Sequence, residues 1–257
     1  MNGQSLSEVP RRMRTGGLLV GAACAPIIAH VSALAVNFGP GAWLTLPERT
    51  RWSLAPDALL FTTSLAIVCA PVFGVVIAGR CTNSDRASVF GPAMQIGACA
   101  LLFSVVSALL TLGWLFGQGD ALSSVARSHM TLAASATALM AWGALCGGCF
   151  RNPLDAAGIS LLTTLVATMW LLVSGTIAAD LPRSLVNAGL TASPLVAVAS
   201  AGQIDLFHSD LLYQISPLAH TQINYPTWTL ATACYLAGAG VFMLTFAATG
   251  RRMKGLR

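Results

Sequence analysis

The sequence predicts an all-α integral membrane protein, a six-transmembrane-helix bundle with a long outer segment between helices 5 and 6. Three observations carry this. Of 257 residues, 55% are apolar and only 9% are charged, where a soluble domain carries about 25% charged residues. A soluble fold of this size cannot cover its surface with so few charges, whereas lipid solvates an apolar exterior. The apolar residues also fall in runs of about 20, enough to cross a hydrocarbon core of roughly 30 Å at about 1.5 Å per residue. Finally, the charges sit in short clusters between those runs. The runs do not alternate with period two, which sets aside a closed barrel.

Helices are predicted near 17–36, 57–79, 93–116, 130–149, 157–179 and 227–249. The first follows Arg11, Arg12 and Arg14. Its run is longer than the apolar core of a signal peptide, about 7–15 residues, so it reads as a retained helix. Residues 1–16 form an N-terminal segment, 17–249 the membrane domain and 250–257 a basic tail. This leaves one helical domain and no room for a second globular one.

Orientation follows from the 14 Lys and Arg residues. With the N-terminus inside, Arg11, Arg12, Arg14, Arg80, Arg86, Arg151, Arg251, Arg252, Lys254 and Arg257 are cytoplasmic, and only Arg49, Arg51, Arg127 and Arg183 are outside. The positive-inside rule favours that arrangement, with both ends cytoplasmic. The net charge of +5 thus marks orientation rather than a nucleic-acid face, which needs a basic stripe on a folded surface. The even helix count depends on residues 185–204, LVNAGLTASPLVAVASAGQI. Asn187, Pro194 and several hydroxyls interrupt this mildly apolar stretch. It is expected to enter the outer leaflet and return, or to pack on the outer face, rather than cross as a seventh helix.

Pro26, Pro71 and Pro92 fall in or at the ends of predicted helices, where proline removes a donor and kinks the chain. Small residues recur, as in AGAG at 237–240, and permit close helix approach.

The chemistry is sparse. By these helix bounds every Asp and Glu lies in a loop or at a helix end. No charged side chain is expected near the bilayer centre, where ion-coupled transporters place one. His30 is the only histidine well inside a predicted helix, with His129 at a helix end and His208 and His220 in the outer segment. A haem between helices wants two axial histidines, so His30 reads first as a residue hydrogen-bonded within the bundle. Cys146-Gly-Gly-Cys149 is a CxxC at the end of the fourth helix. A structural zinc site needs four ligands and no second CxxC exists, so no metal is assigned. The other cysteines mostly sit in apolar runs as small hydrophobes. There is no G-x-S-x-G, no H-E-x-x-H and no P-loop motif. Hydrolysis of ATP by a P-loop in this chain is therefore excluded, and no catalytic residue is assigned.

Two short cytoplasmic loops carry both signs of charge: 79–88, GRCTNSDRAS, and 150–158, FRNPLDAAG. Asn152-Pro153 is expected to start a short interfacial helix with Asp155 in its first turn, where the dipole favours an acid. Each loop reads either as a solvated turn or as a docking surface. The outer segment, 180–226, contains IDLFHSDLLYQISPLAHTQINYPTW. Its apolar and polar residues interleave, and Tyr213, Tyr225 and Trp228 suit an interface.

This layout resembles the permease subunits of ABC-2 type transporters. The local likeness lies in LVNAGLTASPLVAVASAGQIDLFHSDLLYQISPLAHTQINYPTW, before the last helix. The resemblance implies a dimeric pore-former, homodimer or heterodimer with a second permease, in a bacterial inner membrane. It would be driven by a separate cytoplasmic P-loop ATPase, with ATP and Mg in that partner and no cofactor in this chain. It implies coupling loops at Arg80, Asp85, Arg86, Arg151, Asn152 and Asp155. It further implies an outer gate that includes Asp205, Asp210, Tyr213, Pro217, Tyr225 and Pro226. Ser, Thr, Met and Trp side chains would suit an amphipathic or apolar substrate. The rivals are a membrane anchor or accessory subunit of a redox or haem-containing complex, motivated by His30 and the CxxC, and a purely structural assembly subunit.

Overall fold

A computed structural model describes residues 11–38, 48–82, 90–114, 121–173, 181–204 and 225–255. Every regular element among them is an α-helix: α1 (Arg11–Phe38), α2 (Glu48–Thr82), α3 (Phe90–Trp114), α4 (Ala121–Cys149), α5 (Pro153–Val173), α6 (Arg183–Ala192), α7 (Pro194–Ala201) and α8 (Trp228–Gly255). Five stretches are long and apolar enough to cross a membrane: Gly16–Ala33, Pro56–Arg80, Phe90–Gly113, Leu122–Cys149 and Trp228–Thr249. In α5 the apolar stretch is shorter, Pro153–Thr168. The chain is an all-α, multi-pass membrane bundle.

The long helices alternate in direction. Leu18 near the start of α1, Ile77 and Ala78 near the end of α2, Ile96 near the start of α3, Ala144 near the end of α4 and Phe246 near the end of α8 form one buried cluster. The starts of α1 and α3 and the ends of α2, α4 and α8 therefore share one end of the bundle, the basic end. α5 runs back from it after the three residues Phe150, Arg151 and Asn152. Trp142 Nε1 donates to Thr163 Oγ1 at 3.0 Å, which ties α4 to α5.

The α2–α4 crossing is the closest in the bundle. A Cβ on Gly74 would collide with the Met140 carbonyl oxygen and come within 2.8 Å of Ala144 N. One on Gly143 would collide with the Pro71 carbonyl oxygen and lie 2.7 Å from its carbon. A Cβ on Gly147 would come within 2.9 Å of Ala78 Cβ. Gly143 and Gly147 are one turn apart on α4. They form a small-xxx-small ridge, which lets two backbones meet where lipid gives helices no hydrophobic reason to associate.

Three helices start well before their apolar runs suggest. α4 begins at Ala121, not near 130, α2 at Glu48, not near 57, and α1 at Arg11, inside the segment 1–16 expected to precede it. In α4 the polar first turns are satisfied by the helix and its neighbours. Ser124 and His129 bond inward, and the half-buried Arg127 donates to the Ser123 carbonyl at 3.1 Å. His129 therefore lies in the third turn of a membrane helix rather than at its end, and Asp57 lies inside α2 rather than at its start.

Residues 185–204 form a broken pair, α6 and α7, bent by 83°. Ser193 is extended at the break (φ −83°, ψ 112°), as expected of a residue before proline. Pro194 also has no N–H to carry the helix on. α7 ends in a Schellman-type cap: Gln203 takes a positive φ of 58°, with Ile204 N bonded to Ala199 O at 2.8 Å and Gln203 N to Ser200 O at 3.1 Å. The chain leaves this pair beside the starts of α4 and α8. Ser124 Oγ donates to the Gly202 carbonyl and Ser200 Oγ to the Pro226 carbonyl, each at 2.8 Å. The exit therefore lies at the end opposite the basic termini, and a bend this sharp marks either a broken span or a re-entrant loop.

This geometry predicts a labelling result. In a chain whose seven native cysteines are replaced, Gln203→Cys should react with an impermeant thiol reagent from the same side as Leu122→Cys. Asn152→Cys should react only from the opposite side. Reaction of the Gln203 and Asn152 variants from one side would instead make the pair a full crossing.

Candidate functional site

The bent pair is seated by small residues and hydroxyls. α7 is buried from Pro194 to Ala199. Ala197 packs in a cluster with Ala134, Ala138 and Ala141 of α4 and Ala231, Tyr235 and Ala239 of α8. Leu195, Val196 and Ala199 pack on Ile67 of α2, with Leu165 of α5 and Tyr225 against them. The break frees carbonyls at the end of α6. Tyr235 Oη donates to one of them, the Thr191 carbonyl, at 3.0 Å. Of the residues expected at the outer segment, Tyr225 and Pro226 are half-buried against α7. Asp205, Asp210, Tyr213 and Pro217 lie outside the described residues.

At the basic end, residues 150–158 do not form the separate interfacial helix expected there. Asn152 is the cap of α5 itself: its Oδ1 accepts from Leu154 N at 3.0 Å and its carbonyl from Ala156 N at 3.1 Å. Pro153 opens the helix, where a missing N–H costs nothing, and Asp155 occupies the first turn. A three-residue connection leaves no length for an extra helix. Arg151, Asn152, Leu154 and Asp155 are all exposed, Leu154 at 78%. The result is a small apolar knob between a cation and an anion. Arg80 stands half-buried in the last turn of α2 at the same end. Asp85 and Arg86 lie outside the described residues.

A third feature went unseen in the sequence. His30 of α1 and His129 of α4 are both buried, and both approach the same face of α3. Each ring's Nδ1 donates to a carbonyl one turn back, His30 to Pro26 O and His129 to Val125 O, each at 2.8 Å. Ser128 Oγ also lies 3.3 Å from His129 Nδ1. A carbonyl only accepts, so Nδ1 carries the hydrogen and each Nε2 of a neutral ring is bare. Ser107 Oγ donates to His129 Nε2 at 3.1 Å. Thr111 Oγ1 lies 3.4 Å from His30 Nε2 and 3.5 Å from His129 Nε2. The signal in the sequence was the spacing of Ser104, Ser107 and Thr111, one polar stripe on an otherwise apolar helix.

These histidines do not suit a bis-histidine haem. Both Nε2 atoms turn to one threonine hydroxyl, so an α3 side chain stands where the iron and its flat macrocycle would have to lie. Cys146 is buried, Cys149 is exposed, and both are free thiols. The glycines between them serve packing, since Gly147 meets α2 and Gly148 meets the Phe246 ring. Among the described residues no three His, Cys, Asp or Glu side chains converge to hold a metal ion. No protein-family model and no curated protein matches the chain.

Proposed function

We propose that this chain is the permease subunit of an ATP-driven transporter of the ABC-2 type, acting as an exporter of an amphipathic or apolar substrate. In this reading the chain pairs with a second permease, a copy of itself or a relative, in a bacterial inner membrane with both termini cytoplasmic. A separate P-loop ATPase supplies ATP and Mg. One observation carries the reading: a broken helix pair, set between the fifth long helix and the last, that leaves the bundle at the end opposite the basic termini. It is tied there by Ser124, Ser200 and Tyr235. A device in that place can close the exit side of a pore while the opposite end meets a motor. The exposed turn Arg151–Asp155 offers that motor a charged, knobbed contact.

The test is purification of the native complex, in which a P-loop ATPase should accompany this chain. In that complex, Arg151→Glu should weaken ATPase association about tenfold, ~1.4 kcal/mol, while the bundle keeps its thermal stability. Unchanged association would reduce the loop to a solvated turn, and a native complex without an ATPase would defeat the reading.

A further inference from the structure

We propose that His30 and His129 form a single binding site for one proton, buried between α1, α3 and α4 toward the end of the bundle opposite the basic termini. The argument is a count of hydrogens. Thr111 has one, and its nearest acceptor is the Ser107 carbonyl at 2.9 Å. Its oxygen lone pairs then face the bare Nε2 of His30 and that of His129. Ser107 supplies a hydrogen to His129 only. The neutral cluster therefore leaves at least one nitrogen lone pair against an oxygen lone pair, or breaks the Thr111–Ser107 bond. One proton on either Nε2 resolves the conflict, since the imidazolium donates to Thr111 Oγ1. A second proton is disfavoured, because two cations would then face one neutral hydroxyl. One turn deeper on α3, the buried Ser104 hydroxyl has no partner among the described residues, so the polar stripe keeps spare hydrogen-bonding capacity.

The side chains that meet the rings are neutral: Ser107 and Thr111 from α3 and Ser128 from α4. Arg127 of α4 turns its guanidinium back to Ser123. On α2, Thr62 and Thr63 are fully buried and donate to the Ala58 and Leu59 carbonyls, and Asp57 stands at the start of that helix's apolar stretch. An ionisable group inside a membrane bundle is costly to keep without a use. Here a proton arriving from that end would clasp α1, α3 and α4 together. The inference stands apart from the identity of any partner subunit.

The experiment is a pH titration of the full chain in lipid bilayers, with imidazole nitrogens read by ¹⁵N NMR in a His208→Gln, His220→Gln background. In the neutral state both remaining rings should be the Nδ1–H tautomer. Acidification should produce one imidazolium per chain, shared between the two rings. Removing either ring, by His30→Gln or His129→Gln, should change the proton affinity of the other by about tenfold or more. Thr111→Val should do the same, and Thr111→Ser should restore the wild-type titration. Two imidazolium ions forming independently, none forming while the chain stays folded, or no effect of removing the partner ring would each overturn the proposal.

Discussion

Gly143→Val should abolish accumulation of the folded chain, while Gly240→Val should leave it at the wild-type level. The two substitutions add the same atoms to membrane helices, so their contrast isolates packing from helix propensity. At Gly240 a new Cβ meets nothing within 4 Å. At Gly143 it runs into the carbonyl group of Pro71, whose Cα would lie at 2.9 Å. Side chains can rotate away from an added methyl, but here the obstacle is backbone on both sides of the crossing. Overpacking a core that can adjust costs about 1–3 kcal/mol. A backbone collision at the central crossing belongs above that range, against a total stability of only ~5–15 kcal/mol. The α2–α4 contact cannot slide to relieve it, because Gly74 and Gly147 lock the same ridge above and below. Yield after detergent extraction and the thermal midpoint by fluorescence-detected chromatography decide it. A Gly143→Val chain that accumulates and melts like the wild type would mean that the helices do not approach this closely.

The bundle itself was legible because lipid imposes a simple code. A run of about 20 apolar residues has few alternatives to a spanning helix, and the six predicted runs each correspond to a long helix here. Pro194 likewise announced the break in residues 185–204, since its lost N–H and its effect on Ser193 are local properties. What stayed hidden depended on partners far away in sequence. Ser124 meets Gly202, Tyr235 meets Thr191, and His30 meets Thr111, pairs separated by 78, 44 and 81 residues. A hydroxyl in an apolar run says that a partner is needed but not which one. The same blindness misplaced the start of α4. Residues 121–130, ALSSVARSHM, dilute any hydropathy average, yet Ser124, Ser128 and His129 spend their polarity on inward bonds. His129 was read as a helix-end residue for that reason, which concealed its pairing with His30.

Ala197→Leu should unseat the bent pair, whereas Ala192→Leu, five residues away and exposed, should be close to neutral. Ala197 is fully buried at the centre of a cluster built mostly from alanines. Leucine brings three more carbons into a space bounded by two helices that are held elsewhere, α4 to α2 at Gly143 and α8 to α4 by the 3.1 Å Thr131–Thr232 hydroxyl bond. Most of the neighbours are alanines, whose methyl groups have no rotamers to change, and Tyr235 is fixed by its bond to Thr191, so α7 must back out. Its exit would cost the Tyr235–Thr191 and Ser200–Pro226 bonds along with the burial of Leu195 and Val196. The expected destabilisation is about 2–4 kcal/mol, at or above the usual overpacking range, and exposed Ala192→Leu should stay within about 0.5 kcal/mol. Amide exchange separates a seated pair from a peripheral one. In the wild type, residues 197–201 should be protected nearly as well as the core of α4. In Ala197→Leu that protection should fall selectively, with α2 and α4 unchanged. A uniform loss across all helices would show that α7 is a structural pillar of the whole bundle. No loss at all would place it on the periphery and remove the geometric basis for reading it as a gate.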